Sequence, residues 1–167
     1  MTSKLGRRTI TRSRKLSRKE LEELTPSKYL KEYFNIVLPP RIAEFWDRVA
    51  YVEENGLIVF EADESELVSG YWERVSGAPF FDNELAKYLS RYLFDKDPKY
   101  SVVVCPAGSV CEVREDHGYF EFEVFDTEKD KPIFSGAVMG LTAWEEVDGK
   151  SYVKFVPSYI FIKPQEV

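Results

Sequence analysis

The sequence is poor in the residues that carry most side-chain chemistry: among 167 residues there are one histidine and two cysteines. Zinc sites usually take four cysteine, histidine or carboxylate ligands, and Cys105, Cys111 and His117 are too few to build the common types. The glycine-rich phosphate loop, the dinucleotide fingerprint and the metalloprotease helix motif are also missing. We therefore expect neither a metal nor a cofactor, assign no catalytic residue, and favour a binding protein over an enzyme.

Long hydrophobic runs are absent as well. No window reaches the roughly 20 apolar residues that span a bilayer, and the first twenty residues lack the apolar centre of a secretory signal. We expect an intracellular, cytoplasmic protein with no membrane partner. In that setting Cys105 and Cys111 are interpreted as small buried residues, with a disulfide across residues 106–110 as the alternative.

Acidic residues are missing from the first 19 positions, which carry eight basic ones and a net charge of +8. The other 148 residues hold 15 basic and 29 acidic side chains, a net charge of −14. This asymmetry divides the chain into a basic N-terminal arm, residues 1–19, and a single domain, residues 20–167. An unpaired basic segment seeks a polyanion. The candidate nucleic-acid-binding residues are Lys4, Arg7, Arg8, Arg12, Arg14, Lys15, Arg18 and Lys19.

Capping signals and apolar spacings of three and four residues predict five helices. Ser17 and Glu20 form a capping box that starts the first near residue 18. Thr25 as N-cap and Pro26 start the second, and Pro39-Pro40 is expected to end it. Ile42, Phe45, Trp46 and Val49 share the buried face of the third. The fourth is predicted between Asp63 and Gly77, and the fifth runs from Asp82 to about Asp95.

Turn residues and alternating apolar residues predict the strands. A type I′ hairpin is expected at Asn55-Gly56, a strand buried on both faces at residues 101–105, and a hairpin at His117-Gly118. The last hairpin would place Arg114 opposite Glu121 and Glu112 opposite Glu123.

Two long strands, 133–146 and 151–163, are expected to meet at Asp148-Gly149, with Gly140 opposite Pro157 and Gly136 opposite Phe161. Gly136, Gly140 and Pro157 are positions where bulges or bends could curl this pair. The fold predicted is α+β: N-terminal helices and a hairpin, followed by helices packed on a curved antiparallel meander.

This order of elements resembles the cone-shaped domains related to nuclear transport factor 2 (NTF2-like), and more loosely the hotdog domains, in which a helix packs on a curved sheet. The resemblance is one of architecture and implies a cup that could hold a ligand. The residues predicted for such a pocket are Glu112, Arg114, Glu121 and Glu123, with Trp46 and Trp72 on the covering helices.

The charge division decides between the functions considered. The first is an accessory or structural protein that contacts nucleic acid, a nucleoprotein assembly or another polyanion through the arm, while the acidic body makes protein contacts. The alternatives are a small-molecule-binding or enzymatic cup and an oligomeric interaction module. The last would use exposed sheet aromatics such as Tyr119, Phe125 or Tyr159.

Overall fold

A computed structural model describes residues 16–62, 68–73, 78–79 and 82–165 of the chain. Its helices are α1 (Arg18–Glu23), α2 (Pro26–Phe34), α3 (Pro40–Val49) and α4 (Asp82–Phe94). Its strands are β1 (Ala50–Val52), β2 (Ile58–Glu61), β3 (Val68–Glu73), β4 (Ala78–Pro79), β5 (Tyr100–Val104), β6 (Cys111–Val113), β7 (His117–Asp126), β8 (Pro132–Val147) and β9 (Lys150–Pro164). The predicted α+β class with an antiparallel sheet is confirmed.

The first helices begin where their capping residues predict. The Ser17 hydroxyl accepts a hydrogen bond from the Glu20 N–H at 3.1 Å, and the Glu20 carboxylate accepts one from the Ser17 N–H at 3.0 Å. α2 has Thr25 as N-cap and ends at Asn35, whose positive φ of 56° closes the helix in the left-handed conformation. Pro40 was expected to end α2, but it is the first residue of α3, where its missing N–H costs nothing.

The nine described strands form one antiparallel sheet with the order β1-β2-β9-β8-β7-β5 along its main path. β9 is paired with β8 along its whole length. Its other edge is shared, because β3 pairs with its first half and β2 with its second. β7 is shared in the same way between β6 and β5.

The core lies between the helices and one face of this sheet. Trp46 of α3 is its centre: its side chain is fully buried, and its ring contacts those of Phe60 and Phe134 at centroid distances of 5.0 and 5.5 Å. Its indole N–H donates to the Leu93 carbonyl at 2.7 Å, so the one polar atom of the ring is satisfied at no cost. The space beneath the helices is filled by aromatic rings.

Residues 68–73 are a strand, and the helix predicted between Asp63 and Gly77 is wrong there. The remainder of that prediction, residues 63–67 and 74–77, lies outside the described residues. The sequence VSGYWE combines β-branched and aromatic residues with a serine and a glycine that weaken a helix. Pairing of Val68 through Trp72 with Phe155 through Ser151 also satisfies an edge of β9 that would otherwise be open.

The β1–β2 hairpin is confirmed, but its turn is not a two-residue type I′. The Glu53 N–H donates to the Leu57 carbonyl, which leaves three residues in the loop, and Gly56 has a φ of +88°. β5 also differs from expectation: Val103 is 39% exposed, because β5 is the edge of the main path.

The hairpin between β6 and β7 turns two residues earlier along the chain than predicted, at Glu115-Asp116, so Arg114 is not opposite Glu121. Val113 faces Gly118 and Glu112 faces Tyr119, so Glu112 is not opposite Glu123. The turn is fixed from β8, where the Thr142 hydroxyl and the Trp144 indole N–H both donate to the Arg114 carbonyl, at 2.7 and 3.1 Å. Gly118 lies within β7, where an added Cβ would meet the Phe120 ring at 3.0 Å and the Phe155 ring at 3.2 Å.

The predicted β8–β9 hairpin and its turn at Asp148-Gly149 are confirmed, with φ values of 52° and 79° that suit a type I′ turn. Gly140 faces Pro157 as predicted. Ser158 is then an extra residue in β9, so Tyr159 faces Met139 and Phe161 faces Ala137, one position away from the predicted register. The bend expected near Pro157 is therefore a bulge at Ser158, and its carbonyl accepts a hydrogen bond from the Ala62 N–H at 2.9 Å.

Substitution of Gly140 by alanine should destabilise the fold. The added Cβ would collide with the Val156 carbonyl oxygen and lie 2.9 Å from the Pro157 Cα, and backbone atoms cannot rotate away. We expect a loss of about 1–3 kcal/mol in the free energy of unfolding, measured by urea denaturation. Ala143→Val, at an exposed position of the same strand, is the control and should change stability little. Equal effects of the two substitutions would contradict the close approach.

Candidate ligand groove on the outer face of the sheet

The face of the sheet away from the helices carries an open cavity of about 670 Å³, called here the sheet groove. It is formed by β7, β8 and the end of β9, by Leu57 before β2, and by residues 106–109. Alternation in β7 separates the two faces: Phe120, Phe122 and Val124 are buried in the core, whereas Tyr119, Glu121 and Glu123 are only half-buried. Two of the predicted pocket carboxylates, Glu121 and Glu123, therefore line the groove.

The centre of the groove is built from small residues. Ser135 and Ala137 of β8 lie on the outer face and line the cavity, and Ala137 is 8% exposed. Glu123 and Lys163 are the strand neighbours of Ser135, while Glu121 and Phe161 are those of Ala137. Short side chains in the central strand, flanked by longer ones on both neighbouring strands, leave the depression.

One wall is apolar and depends on the Ser158 bulge. Before the bulge Val153, Phe155 and Pro157 face the core, and after it Ile160 and Ile162 do. The one-residue shift places Phe161 and Lys163 on the outer face, where they border the groove. Met139 and Tyr119 continue the apolar lining along the sheet.

The opposite wall is a loop closed by a disulfide bond. Cys105 and Cys111 are bonded, with their Cα atoms 6.0 Å apart, and the loop between them supplies Pro106, Ala107, Gly108 and Ser109 to the groove. The interpretation as two unbonded buried cysteines is wrong. Cys105 has a φ of 56°, a conformation that costs a non-glycine residue about 1 kcal/mol or more and that the disulfide helps to hold.

Glu121 ties this loop to the sheet through both backbone and side chain. Its carbonyl accepts from the Cys105 N–H at 2.9 Å, and its N–H donates to the Val110 carbonyl at 3.2 Å. Its carboxylate accepts from the Val110 N–H at 2.8 Å and from the Tyr119 hydroxyl at 3.1 Å. Burial, the hydrogen bond to Glu121 and the charge of that carboxylate together raise the pKa of Tyr119. Glu121 is thus a structural anchor of the groove wall.

Glu123 and Lys163 are different, because neither has an ion-pair partner within 4.0 Å among the described residues. Ser135, between them, accepts a hydrogen bond at its Oγ from the Gln165 side-chain amide at 2.7 Å. Its own hydroxyl proton is left to donate. A carboxylate, a hydroxyl and an ammonium group therefore lie in one row across the sheet.

The other predicted pocket residues lie elsewhere. Glu112 and Arg114 form an exposed ion pair with each other at 3.2 Å and do not line the groove. Trp46 is in the core, and the side chain of Trp72 lies outside what the structure describes. The sequence could not show whether Glu112 lies opposite Glu123, because the position of the β6–β7 turn decides which residues of the two strands face each other.

The basic arm is described only at its end. Leu16 is buried in the core at 6% exposure, and its N–H donates to the Glu54 carbonyl at 3.0 Å. Arg18 and Lys19 are exposed on α1. The other six basic residues of the arm lie outside the described residues. Of the sheet aromatics considered for an oligomer, Tyr159 is 44% exposed, and Tyr119 and Phe125 are half-buried.

No protein-family model, curated protein or solved structure matches this chain. Among the described residues there is no group of three histidine, cysteine, aspartate or glutamate side chains placed to hold a metal ion. None of the described helices has the length and apolar character needed to cross a membrane. Function is therefore argued from the residues of the groove and from the charge of the arm.

Removal of the disulfide should lower stability and loosen one wall of the groove. For a loop with a sequence separation of 6 between its cysteines, a Cys105→Ser/Cys111→Ser double variant should lose about 2 kcal/mol in the free energy of unfolding. Denaturation with and without a dithiol reductant measures it. The reductant should weaken the parent protein by the same amount and leave the variant unchanged. A parent protein that is indifferent to reduction would contradict this role.

Proposed function

We propose that this protein binds a small amphipathic ligand in the sheet groove. The observation that carries the proposal is the construction of the groove wall: a disulfide and three hydrogen bonds between Glu121 and the loop hold that loop beside an open, mixed polar and apolar surface. A preformed site avoids the entropic cost of ordering its loop when the ligand arrives.

The chemistry of the lining suits a ligand with one apolar and one polar part. Phe161, Met139 and Tyr119 provide contact area for a ring or an aliphatic chain. Glu123, Ser135 and Lys163 provide hydrogen-bonding groups along the same floor. Among the described residues this constellation holds no nucleophile activated by a base, so binding is proposed and catalysis is not.

The probe for this proposal is 3-phenylpropan-1-ol, a neutral compound with one ring and one hydroxyl group. In an NMR titration of ¹⁵N-labelled protein, we expect shifts of the backbone amide signals of residues 106–109 and 135–139, with a dissociation constant in the millimolar range, as for any ligand of this size. Ala137→Leu should fill the groove and abolish the shifts. Ala143→Leu, on the same strand and outside the lining, should not.

Because Ala137 is mostly buried, a second variant guards against a folding defect. Phe161→Ala removes the apolar wall without adding volume and should weaken probe binding while the remaining amide signals keep their positions. Unchanged binding in both Ala137→Leu and Phe161→Ala would remove the proposal.

Association with nucleic acid or another polyanion through the basic arm is the second candidate function. It is supported by the division of charge, +8 in residues 1–19 against −14 in the rest of the chain. Lysine and arginine side chains that neutralise phosphates release counterions, which gives salt-sensitive binding with little sequence preference. Protein contacts through the acidic body and a cytoplasmic location belong to the same proposal.

Deletion of residues 1–15 tests the arm, since it removes six basic residues and leaves Leu16 in place. Binding of a mixed-sequence single-stranded DNA, followed by fluorescence anisotropy, should weaken with salt, with a log–log slope of about −4 if all six residues contact phosphates. The truncated protein should lose this binding. A Lys129→Gln/Lys131→Gln variant, altered in the exposed β7–β8 turn, should keep it. Salt-independent binding, or binding that survives the truncation, would exclude the arm.

A further inference from the structure

Glu123 and Lys163 lie on either side of one residue in the middle of the groove. Glu123 of β7 and Lys163 of β9 both pair with Ser135 of β8, so their Cα atoms are two strand spacings apart, about 10 Å. Alternation along each strand directs both side chains to the outer face, and both line the cavity. The groove therefore presents a negative and a positive group across a floor of small residues, beside Glu121, whose carboxylate already accepts two hydrogen bonds.

These two groups differ from other charges on the sheet surface. Glu112 and Arg114 are paired at 3.2 Å, and Glu145 and Lys154 at 3.1 Å. Within the described part of the chain, Glu123 and Lys163 have no such partner within 4.0 Å. Opposite charges that line one cavity without forming an ion pair match a ligand that carries both charges.

The apolar side of the groove limits the ligand further. Phe161 is two residues from Lys163 on the same face of β9, and Met139 lies beyond Ala137 along β8. A ligand with its charges over Ser135 would therefore place its remaining atoms over Ala137 and against Phe161, which is the strand neighbour of Ala137. The Ser135 hydroxyl can add a hydrogen bond to an anionic oxygen, because its Oγ already accepts from Gln165.

We propose that the groove binds a small zwitterion with an apolar side chain, of the chemical class of an α-amino acid. Its ammonium group is held by Glu123, its carboxylate by Lys163 and the Ser135 hydroxyl, and its side chain by Phe161. This inference rests on the proposed function of the groove and adds the class of ligand.

Four compounds that share a phenyl ring test the class directly: phenylalanine, phenethylamine, 3-phenylpropanoate and 3-phenylpropan-1-ol. Phenylalanine carries both charges, phenethylamine only the positive charge, 3-phenylpropanoate only the negative charge, and 3-phenylpropan-1-ol neither. In the same NMR titrations phenylalanine should bind most tightly. Each correctly placed charge should contribute roughly two- to fivefold in the dissociation constant, as partly exposed ion pairs do.

Two charge-neutralising variants then assign the groups. Glu123→Gln should weaken the binding of phenylalanine and phenethylamine. It should not weaken the binding of 3-phenylpropanoate, which has no ammonium group for Glu123 to attract. Lys163→Gln should weaken phenylalanine and 3-phenylpropanoate and spare phenethylamine. A Glu128→Gln/Lys131→Gln variant changes one charge of each sign in the exposed β7–β8 turn and should leave all four affinities unchanged.

The outcomes separate the two levels of the argument. If all four compounds bind the parent protein equally and none binds the Ala137→Leu variant, the groove is a ligand site, but the zwitterion inference is wrong. If only one of the two charges matters, the ligand is a simple amine or acid, and the inference is again wrong. If no compound shifts the groove amides in the parent protein, the proposed function fails as well.

Discussion

The Ser158 bulge in β9 is the constraint on which the rest of this structure depends. Without the extra residue, the alternation that buries Phe155 would also bury Phe161 and Lys163 and would direct Ile160 and Ile162 outward. The bulge reverses the faces so that each half of β9 buries its own apolar residues. At the same point the outer partner of β9 changes from β3 to β2. One inserted residue thus completes the core, joins two short strands to the sheet and forms the apolar wall of the groove.

The bulge positions the apolar wall of the groove, and Glu121 and the disulfide position the opposite wall. The loop between Cys105 and Cys111 contains one turn, in which the Ser109 N–H donates to the Pro106 carbonyl at 3.0 Å, and its two ends are held from outside. Glu121 binds both ends of the loop, and the covalent bond closes it. The carboxylate of Glu121 is engaged in this task, which leaves Glu123, two residues along the same face, as the carboxylate able to meet a ligand.

Local signals in the sequence were sufficient for elements that depend on local interactions. The capping box at Ser17, the N-cap at Thr25 and the turn at Asp148-Gly149 were all predicted, because a side chain or a positive φ within a few residues determines each of them. β3 was predicted as a helix because its sequence fits both periods and its strand form needs β9, which is about 80 residues away in the chain. Long-range pairing of this kind leaves no local trace.

Only part of the candidate site was predicted, because the rest also depends on pairing between distant strands. Glu121 and Glu123 were identified as a polar strand face, but their supposed partner Glu112 depended on a turn that Thr142 and Trp144 fix from a different strand. The apolar wall was missed, because residues 159–162 form a continuous apolar run in which the sequence does not show which side chains face the core. The Ser158 bulge, which places Phe161 and Lys163 on the outer face, is defined by the pairing with β8 and is seen only in the structure.

The two proposed functions meet at the β1–β2 hairpin. Leu16, where the basic arm joins the body, donates a backbone hydrogen bond to Glu54 in the loop of this hairpin. Leu57, at the end of the same loop, lines the groove. Charges separated by about one Debye length, roughly 8 Å at physiological salt, still influence each other. A polyanion within that distance of the groove would oppose a ligand carboxylate at Lys163 and favour an ammonium group at Glu123. A zwitterion carries both groups, so its binding is the least sensitive to such a field, whereas a singly charged ligand would respond to it strongly.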